Sequence, residues 1–448
     1  MLIFITGIVV LCGFLSGYNG GVVSGAYSLL VQQFHFTPFL GGVVASALPL
    51  GGLLGSIFAS YSSDHMGRRT SILISASLFV VGALMSGTTN HVETLIIARF
   101  LVGFATGIVT PIGPQYLSEI APPLVRGRMI GAYQMMTSGG VLSAYVANQI
   151  ISGISADFDV INRWQLMFAL SGIPAVVLLV GMLFAPRSPR WLLLRGRNQD
   201  AREVFYMLGS KGAEDWGEKA VNTAINEERS TRGTCRWRDL IGPELRSITI
   251  FAIAIFVIQQ LSGINVVIYY APQILSQLGF ALHETSLLAT TSLGVVMFLT
   301  SIPALFLFDK FGRRSLLIIG LPLCGFAEIL AMVPVYLENG ELAWLGALGL
   351  CLYMAAFALS IGPLPWIYIA EIFPVQARAK GMVIGVMTNW IFNFGVVLMF
   401  PVLIASFGIF WMFAMFITTC FLGMCYAVRY APETKGVPIE QIQQLFRK

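Results

Sequence analysis

Long apolar stretches, separated by short polar connections, run through almost the whole chain. A helix needs about 20 apolar residues to cross the hydrocarbon core of a bilayer, and twelve stretches have that character. The predicted spans are 2–24, 40–62, 71–90, 94–117, 127–151, 166–185, 247–275, 286–308, 315–336, 342–370, 381–403 and 406–428. The pattern therefore predicts an all-α membrane protein with twelve transmembrane helices, and an even number of spans places both termini on one side.

One long polar segment follows the sixth span and divides the spans into two sets of six. Within it, 199–208 and 218–228 have the composition of short amphipathic helices, which we expect to lie at the membrane surface. The predicted units are an N-terminal six-helix bundle, a cytoplasmic helical linker, a C-terminal six-helix bundle and a cytoplasmic tail, at 1–186, 187–246, 247–428 and 429–448.

Composition and charge support this interpretation and add an orientation. Of the 448 residues, 56% are hydrophobic and 11% charged, which excludes a water-soluble protein. All Lys and Arg residues except Arg99 and Arg163 fall on the side of the predicted termini. Because cytoplasmic loops carry the excess of basic residues, we expect cytoplasmic termini and a multi-pass protein of the plasma membrane or bacterial inner membrane. The basic linker is expected to face lipid headgroups, and no nucleic acid partner is predicted.

Three motifs of the first six spans recur in the second six, at offsets between 245 and 252 residues. They are DHMGRR at 64–69 and DKFGRR at 309–314, YLSE at 116–119 and YIAE at 368–371, and PRSPR at 186–190 and PETKG at 432–436. Agreement at nearly one offset indicates a duplicated six-helix unit. Duplicated halves are typical of secondary transporters, which bind the substrate near the midplane between the halves.

The charged residues of these motifs form a candidate intracellular salt-bridge network. Carboxylates beside arginines can make charge-assisted bonds that close one face of a transporter and break when that face opens. The alternative is charge that only sets the topology, combined with tight glycine turns. The predicted members are Asp64, Arg68, Arg69, Glu119, Arg126, Asp309, Arg313, Arg314, Glu371 and Arg378.

The sequence contains no catalytic or nucleotide-binding motif. It has no GxxxxGK[ST] phosphate loop and no HExxH, its four histidines are scattered, and its six cysteines form no CxxC pair. We therefore expect no enzyme activity, cofactor, metal or disulfide, and ATP-driven transport by this chain alone is disfavoured.

Taken together, the motifs resemble the sugar porters of the major facilitator superfamily, which include facilitative glucose transporters and bacterial proton-coupled sugar symporters. The resemblance covers essentially the whole chain and rests on the GRR loops and on 99–103, 119–127, 186–190, 259–265, 362–366 and 432–436. It implies two pseudo-symmetric bundles that rock about a central sugar site. A small sugar and the bilayer are the expected partners, and the protein is expected to be a monomer.

Three amides in the seventh span are costly in a bilayer unless they are hydrogen-bonded or face water. At 100° per residue, Gln259, Gln260 and Asn265 do not share a helical face, so they can converge only if the helix unwinds at 262–263. We therefore predict a broken helix that lines a cavity; amides that join two helices are the alternative. Amides suit a neutral polyhydroxy ligand because each of them both donates and accepts hydrogen bonds.

The resemblance implies roles for further residues of the predicted site. Two tyrosines after Asn265 occupy the family's extracellular gate, and two prolines make span ten a predicted hinge because each removes a helical hydrogen bond. Asn393 is a further lone amide in span eleven. The predicted gating residues are Tyr269, Tyr270, Pro363 and Pro365. The predicted sugar-binding and cavity-lining residues are Gln134, Gln259, Gln260, Asn265, Phe357, Gly362, Trp366, Asn389 and Trp390.

One departure from the family pattern bears on ion coupling. Proton-coupled members carry an Asp after the Gly-Tyr of span one, which titrates against the arginine of span four; here Asn19 stands there, opposite Arg99. An amide cannot take up and release a proton near neutral pH, and the facilitative glucose transporters also have Asn. The sequence therefore favours a uniporter. The alternative is a proton symporter that uses another acid, such as the intramembrane Glu328.

Other departures bear on the ligand. Met297 stands where the family has an Asn, Ser16 where it has a Phe, and Arg187 where its PESPR motif has an acid. A hexose is the first expectation, and a pentose or a cyclic polyol stays open. A sugar sensor that binds without transporting is a third hypothesis, from another functional class.

Overall fold

The structure, a computed structural model, describes residues 1–153, 162–208, 236–280, 283–435 and 437. This part of the chain is helical and contains no strand. The helices of the first half are α1 Leu2–Phe34, α2 Pro38–His65, α3 Arg68–Thr88, α4 Val92–Ile120, α5 Pro123–Ser152, α6 Arg163–Ala169 and α7 Gly172–Phe184, and those at the start of the linker are α8 Pro189–Leu194 and α9 Asn198–Met207. Those of the second half are α10 Arg246–Leu261, α11 Ile264–Gln277, α12 His283–Phe311, α13 Arg313–Tyr336, α14 Ala343–Leu359, α15 Leu364–Ile372 and α16 Val375–Tyr430.

The twelve predicted crossings are present, although the helices do not match them one to one. Ten helical stretches in the described part are long and apolar enough to span a membrane. The stretch within α16 crosses twice, because 56 residues would extend about 84 Å as one straight helix and the backbone turns at Gly408, where φ is 81°. Outside those ten, α5 is a further helix of 30 residues that packs along α1.

Several predicted boundaries were wrong. The first helix ends ten residues beyond the predicted 2–24. The helix continues past its most apolar part, through residues that include Ser, Gln and Tyr. The predicted span 166–185 is divided into α6 and α7. Pro174, the third residue of α7, has no amide hydrogen and cannot donate to the carbonyl of Leu170, which accepts from Ile173 instead.

Glycines allow the helices of the first half to pack closely. A Cβ atom at Gly103 of α4 would overlap the carbonyl oxygen of Leu48 in α2, and one at Gly17 of α1 would overlap the carbonyl of Thr137 in α5. Close backbone approach at small residues is the usual way in which membrane helices gain packing energy.

The two halves meet at one end of the molecule. We call the end that carries the turns at Gly67 and Gly312 the basic end. At the opposite end, Tyr27 packs edge-on against Tyr270 with ring centroids 5.1 Å apart. Nearby, the hydroxyl of Tyr145 in α5 donates to the carbonyl of Ile268 in α11 at 2.9 Å. The molecule is therefore closed at the end opposite the basic end.

The linker begins with α8 and α9, which share a small core of their own around Trp191 and Phe205. The Nε1 atom of Trp191 donates to the carbonyl oxygen of Asp64, so α8 is fixed to the turn between α2 and α3. The predicted patch 199–208 corresponds to α9. The patch 218–228 lies outside the described residues, as does most of the predicted tail.

Candidate functional site

A break in the seventh span brings the three predicted amides to one place. The first part, α10, ends at Leu261, and the second, α11, begins at Ile264. Between them Gly263 adopts φ 89°, a left-handed conformation that an L-residue rarely adopts. The predicted break at 262–263 is confirmed.

Four amides form a continuous hydrogen-bonded cluster at this break, which we call the amide cluster. Asn265 Nδ2 donates to Gln260 Oε1 at 2.5 Å, and Gln260 Nε2 donates to Gln259 Oε1 at 3.4 Å. Asn389 of α16 donates to the same Gln259 oxygen at 3.0 Å. Gln259 and Gln260 are 4% and 3% exposed. These side chains therefore lie in the protein interior and bond to one another rather than face lipid.

A second break, in the tenth span, completes the surroundings of the cluster. The chain leaves α14 at Leu359 and enters α15 at Leu364. The carbonyls of Ile361 and Gly362 are thereby freed, and both accept from Gln259 Nε2, at 3.1 and 2.5 Å. The predicted hinge at Pro363 and Pro365 coincides with this break. Gln259, which lies just before the first break, therefore bonds to the unwound segment of the second break.

The amide cluster carries no formal charge. Each of its amides can exchange an internal hydrogen bond for one to a hydroxyl, since amides both donate and accept. An ionic ligand would instead require a buried opposite charge. The site is therefore suited to a neutral ligand with several hydroxyl groups, which would replace the internal bonds one by one.

The three predicted aromatic residues lie on α14, α15 and α16, near the second break or next to Asn389 in the sequence. The partly exposed Trp366 meets Phe256 edge-on at 5.2 Å between ring centroids. Trp390 is 7% exposed, its Nε1 has no partner among the described residues, and its ring lies against Gly52 of the other half. Phe357 is buried next to Gly362. A Trp face can stack on the C–H face of a sugar ring.

Gln134 lies apart from the amide cluster. Its side chain is exposed and forms no hydrogen bond with another described residue. At 100° per residue it shares a face of α5 with Tyr145, which bonds to the other half. Gln134 thus faces the space between the halves, on the side of the basic end.

The two predicted gate tyrosines are buried at the closed end. Tyr270 donates its hydroxyl to the carbonyl of Val397 at 2.9 Å, and its ring contacts Tyr27 and Phe400. Tyr269 is 3% exposed. Helices α1, α11 and α16 are joined by these contacts.

Arg99 is buried and has no carboxylate partner among the described residues. Its Nη2 donates to the backbone carbonyl of Asn19 at 2.9 Å, and its guanidinium lies over the ring of Phe168. Its Nε and Nη1 have no partner among the described residues. The Asn19 side chain donates instead to Leu15 of its own helix.

Glu328 is fully buried inside the second half. Its Oε2 lies 3.8 Å from the Cys420 sulfur, and its Oε1 has no partner in the described part of the chain. Tyr353 and Cys324 are the other titratable groups close enough to interact with it electrostatically. Glu328 is therefore enclosed by residues of the second half and is not on the surface of the protein.

In the described part of the chain, the two halves carry corresponding ion pairs at the basic end. Arg68 pairs with Glu119 and Arg313 with Glu371, both at 2.9 Å. A hydroxyl donates to the second oxygen of each glutamate, from Ser188 and from Thr434 respectively. Each of these ion pairs lies within a single half. In this conformation they stabilise the halves separately, and a lock between the halves stays a prediction.

The other predicted network residues have different surroundings. Arg69 donates to the carbonyls of Met182 and Leu183, and Arg314 donates to that of Val428. Asp64 and Arg126 are exposed and make no ion pair with another described residue, and Arg378 has two buried nitrogens without a partner there. The side chain of Asp309 lies outside what the structure describes.

Sequence reasoning missed the role of Glu433. Its carboxylate accepts from the backbone nitrogens of Arg313 and Arg314, at 3.0 and 3.2 Å, and so caps the start of α13. In the repeat, Glu433 corresponds to Arg187, whose guanidinium lies over the Trp191 ring instead. The aligned motifs at 186–190 and 432–436 contained this signal.

Loss of this cap is expected to destabilise the protein. Glu433→Ala leaves two N–H groups of α13 without an acceptor and should lower the unfolding free energy by about 1 kcal/mol. Arg187→Ala, at the corresponding position, removes no cap and should change it by less. The comparison requires thermal unfolding of both variants in detergent, and equal midpoints would contradict the assignment.

Comparison with known proteins gives consistent matches. The chain matches the family described as "Sugar (and other) transporter" over residues 5–446. An arabinose-proton symporter of Bacillus subtilis (strain 168) is 32% identical over 97% of this chain and 93% of its own length. A D-xylose transporter of Levilactobacillus brevis is 34% identical, with the same coverages of 97% and 93%. The inward-open structure of the xylose transporter of E. coli aligns with a TM-score of 0.84, at 26% identity over 99% of this chain and 100% of that chain.

Proposed function

This chain belongs to the sugar (and other) transporter family, and we propose that it moves a neutral monosaccharide, a hexose first, by facilitative uniport. The observation that carries the proposal is the amide cluster around Gln259 and Gln260, which is buried, uncharged and placed where two membrane helices are broken. Hydroxyl groups are the chemistry that such amides recognise. The sugar names of the two bacterial relatives support the substrate class.

Transport proceeds by alternating access. The sugar binds at the amide cluster while the end opposite the basic end is closed by the Tyr27–Tyr270 contact. Rocking of the halves opens that end and closes the basic end. By the positive-inside rule, the basic end is cytoplasmic. The protein acts as a monomer in the plasma or bacterial inner membrane.

The surroundings of Arg99 support uniport. A carboxylate at position 19 would take up and release a proton in each cycle, and its salt bridge with Arg99 would break and re-form accordingly. Asn19 offers Arg99 only a backbone carbonyl, which does not titrate. The sugar gradient alone then drives transport.

Proton symport is the second candidate, because one relative is named an arabinose-proton symporter and Glu328 is a buried acid without a cationic partner in the described part of the chain. A coupling acid must reach water from each side in turn. Glu328 is 0% exposed in the conformation closed at the outer end. This burial favours uniport over coupling through Glu328.

Proteoliposome uptake distinguishes the two candidates. We expect labelled D-glucose to equilibrate to the same final level with and without an imposed pH gradient. Accumulation above equilibrium would contradict uniport, and its loss in Glu328→Gln would assign the coupling to that acid. Asn19→Asp serves as the gain-of-coupling variant, because it restores a carboxylate beside Arg99. Competition by D-xylose and myo-inositol in the same assay tests the choice of a hexose.

A further inference from the structure

Asn393 is a buried amide that no part of the proposed mechanism uses. It is 6% exposed, and its Oδ1 atom has no hydrogen-bond partner in the described part of the chain. Buried carbonyl oxygens are nearly always hydrogen-bonded in folded proteins. An exception next to a ligand site points to a partner that arrives with the ligand.

The position of Asn393 on α16 connects the two functional regions. One turn before it, Asn389 donates to Gln259 in the amide cluster. One turn after it, the carbonyl of Val397 accepts from the gate residue Tyr270. Residues four apart lie within about 40° on a helix and about 6 Å along its axis. Asn393 therefore lies on the same stripe, between the amide cluster and the closed outer gate.

A second observation concerns α12, which packs against α5 of the first half. Met297 is partly buried against a core cluster that contains residues of both halves, and the next residue, Phe298, contacts Gly139 of the first half. Position 297 thus lies where the two halves meet. A thioether offers a ligand hydroxyl only a weak acceptor. The polar contacts of the site must therefore come from other helices.

On the basis of the proposed function, we propose that Asn393 binds a hydroxyl group of the sugar through Oδ1 and so determines which sugars are accepted. The hydroxyl is the one on the side of the ring directed towards Tyr270. It donates to Oδ1, while Gln259, Gln260 and Asn265 bind the opposite side of the ring. A sugar that lacks this hydroxyl leaves the Asn393 oxygen buried and unpaired.

Singly deoxygenated glucose analogues test this assignment. Their competition with labelled D-glucose is measured in proteoliposomes for the parent and for Asn393→Leu, which has a similar volume without polar atoms. In the parent, one analogue should compete roughly tenfold or more worse than glucose. In Asn393→Leu, this discrimination should fall to about twofold or less, with the penalties for the other positions unchanged. The selective change would not follow from a purely structural role.

Asn148→Leu is the matched control. Asn148 is likewise a buried amide whose Oδ1 has no partner among the described residues, but its Nδ2 donates to the carbonyl of Val22 within the first half. Its variant should keep the parental pattern of discrimination. Asn393→Ser provides a hydroxyl acceptor in place of the amide and should therefore show part of the parental selectivity. If Asn393→Leu does not fold, Asn393→Ala replaces it in the comparison with the parent.

The outcomes separate the two proposals. An unchanged penalty pattern in Asn393→Leu, with the parent transporting normally, would overturn the assignment of Asn393 and leave the proposed function intact. A parent that takes up neither glucose, xylose nor myo-inositol would overturn the proposed function, and the assignment of Asn393 with it.

Discussion

Gln260→Ala and Asn265→Ala are each expected to abolish saturable sugar uptake while the protein remains folded. Gln260 has a neighbour on each side in the amide cluster: it donates to Gln259 and accepts from Asn265. Truncation removes an amide of the proposed sugar site and also leaves a neighbouring amide without its partner. Each unpaired group costs about 1 to 3 kcal/mol, so two of them reduce kcat/KM by roughly 10²-fold or more.

The measurement is initial uptake into proteoliposomes over a range of sugar concentrations, with a parallel thermal-unfolding curve in detergent. Gln165→Ala is the matched control. Gln165 is also buried and donates to Thr89, but it lies at the start of α6 and far from the cluster along the fold. That variant should lose stability and keep saturable uptake. Unchanged kinetics in both Gln260→Ala and Asn265→Ala would overturn the site assignment.

Gly263→Val is expected to destroy the break in the seventh span and, with it, transport. The backbone at Gly263 has φ 89°, which is strained for any L-residue and most of all for a β-branched one. An added Cβ would also lie 2.6 Å from the ring of Phe416. The strain alone costs about 1 to 3 kcal/mol, and the clash adds to it. We expect loss of uptake and a markedly lower unfolding temperature.

Gly408→Val separates the two causes. Gly408 has φ 81°, but an added Cβ there meets no atom within 4 Å. This variant carries the strain without the clash, and it lies in the turn between the two passes of α16, away from the amides. We expect a smaller loss of stability and retained uptake. If Gly263→Val transported sugar with parental kinetics, the break would have no role in placing the amides.

The organisation of the fold could be predicted because each of its determinants is local or repeated. A run of apolar residues long enough to cross a bilayer must form a helix, since lipid offers no partner to the backbone. The duplicated motifs at 64–69 and 309–314 add the two-fold arrangement. The division of span six could not be predicted with the same ease, because Pro174 is tolerated within many membrane helices.

The candidate site was only partly predictable. The amides in 259–265 stand out because polar side chains are costly in a bilayer, and their failure to share a helical face required the break. Their partners did not follow from this argument. The carbonyl of Gly362 accepts from Gln259 across 103 positions of sequence, and only the unwound segment before α15 exposes it.

The sequence alone determined the number of crossings, the break near Gly263 and the uncharged character of the site, because composition and periodicity act over a few neighbouring residues. It also determined the duplication, because the same motifs recur at nearly one offset. The tertiary structure decided which end is closed, that Arg68–Glu119 and Arg313–Glu371 each form within a single half, and that Glu433 caps a helix. It also decided that the oxygen of Asn393 has no partner among the described residues. These features depend on distances between helices remote in sequence. Such distances result from the packing of the whole bundle, which no local pattern records.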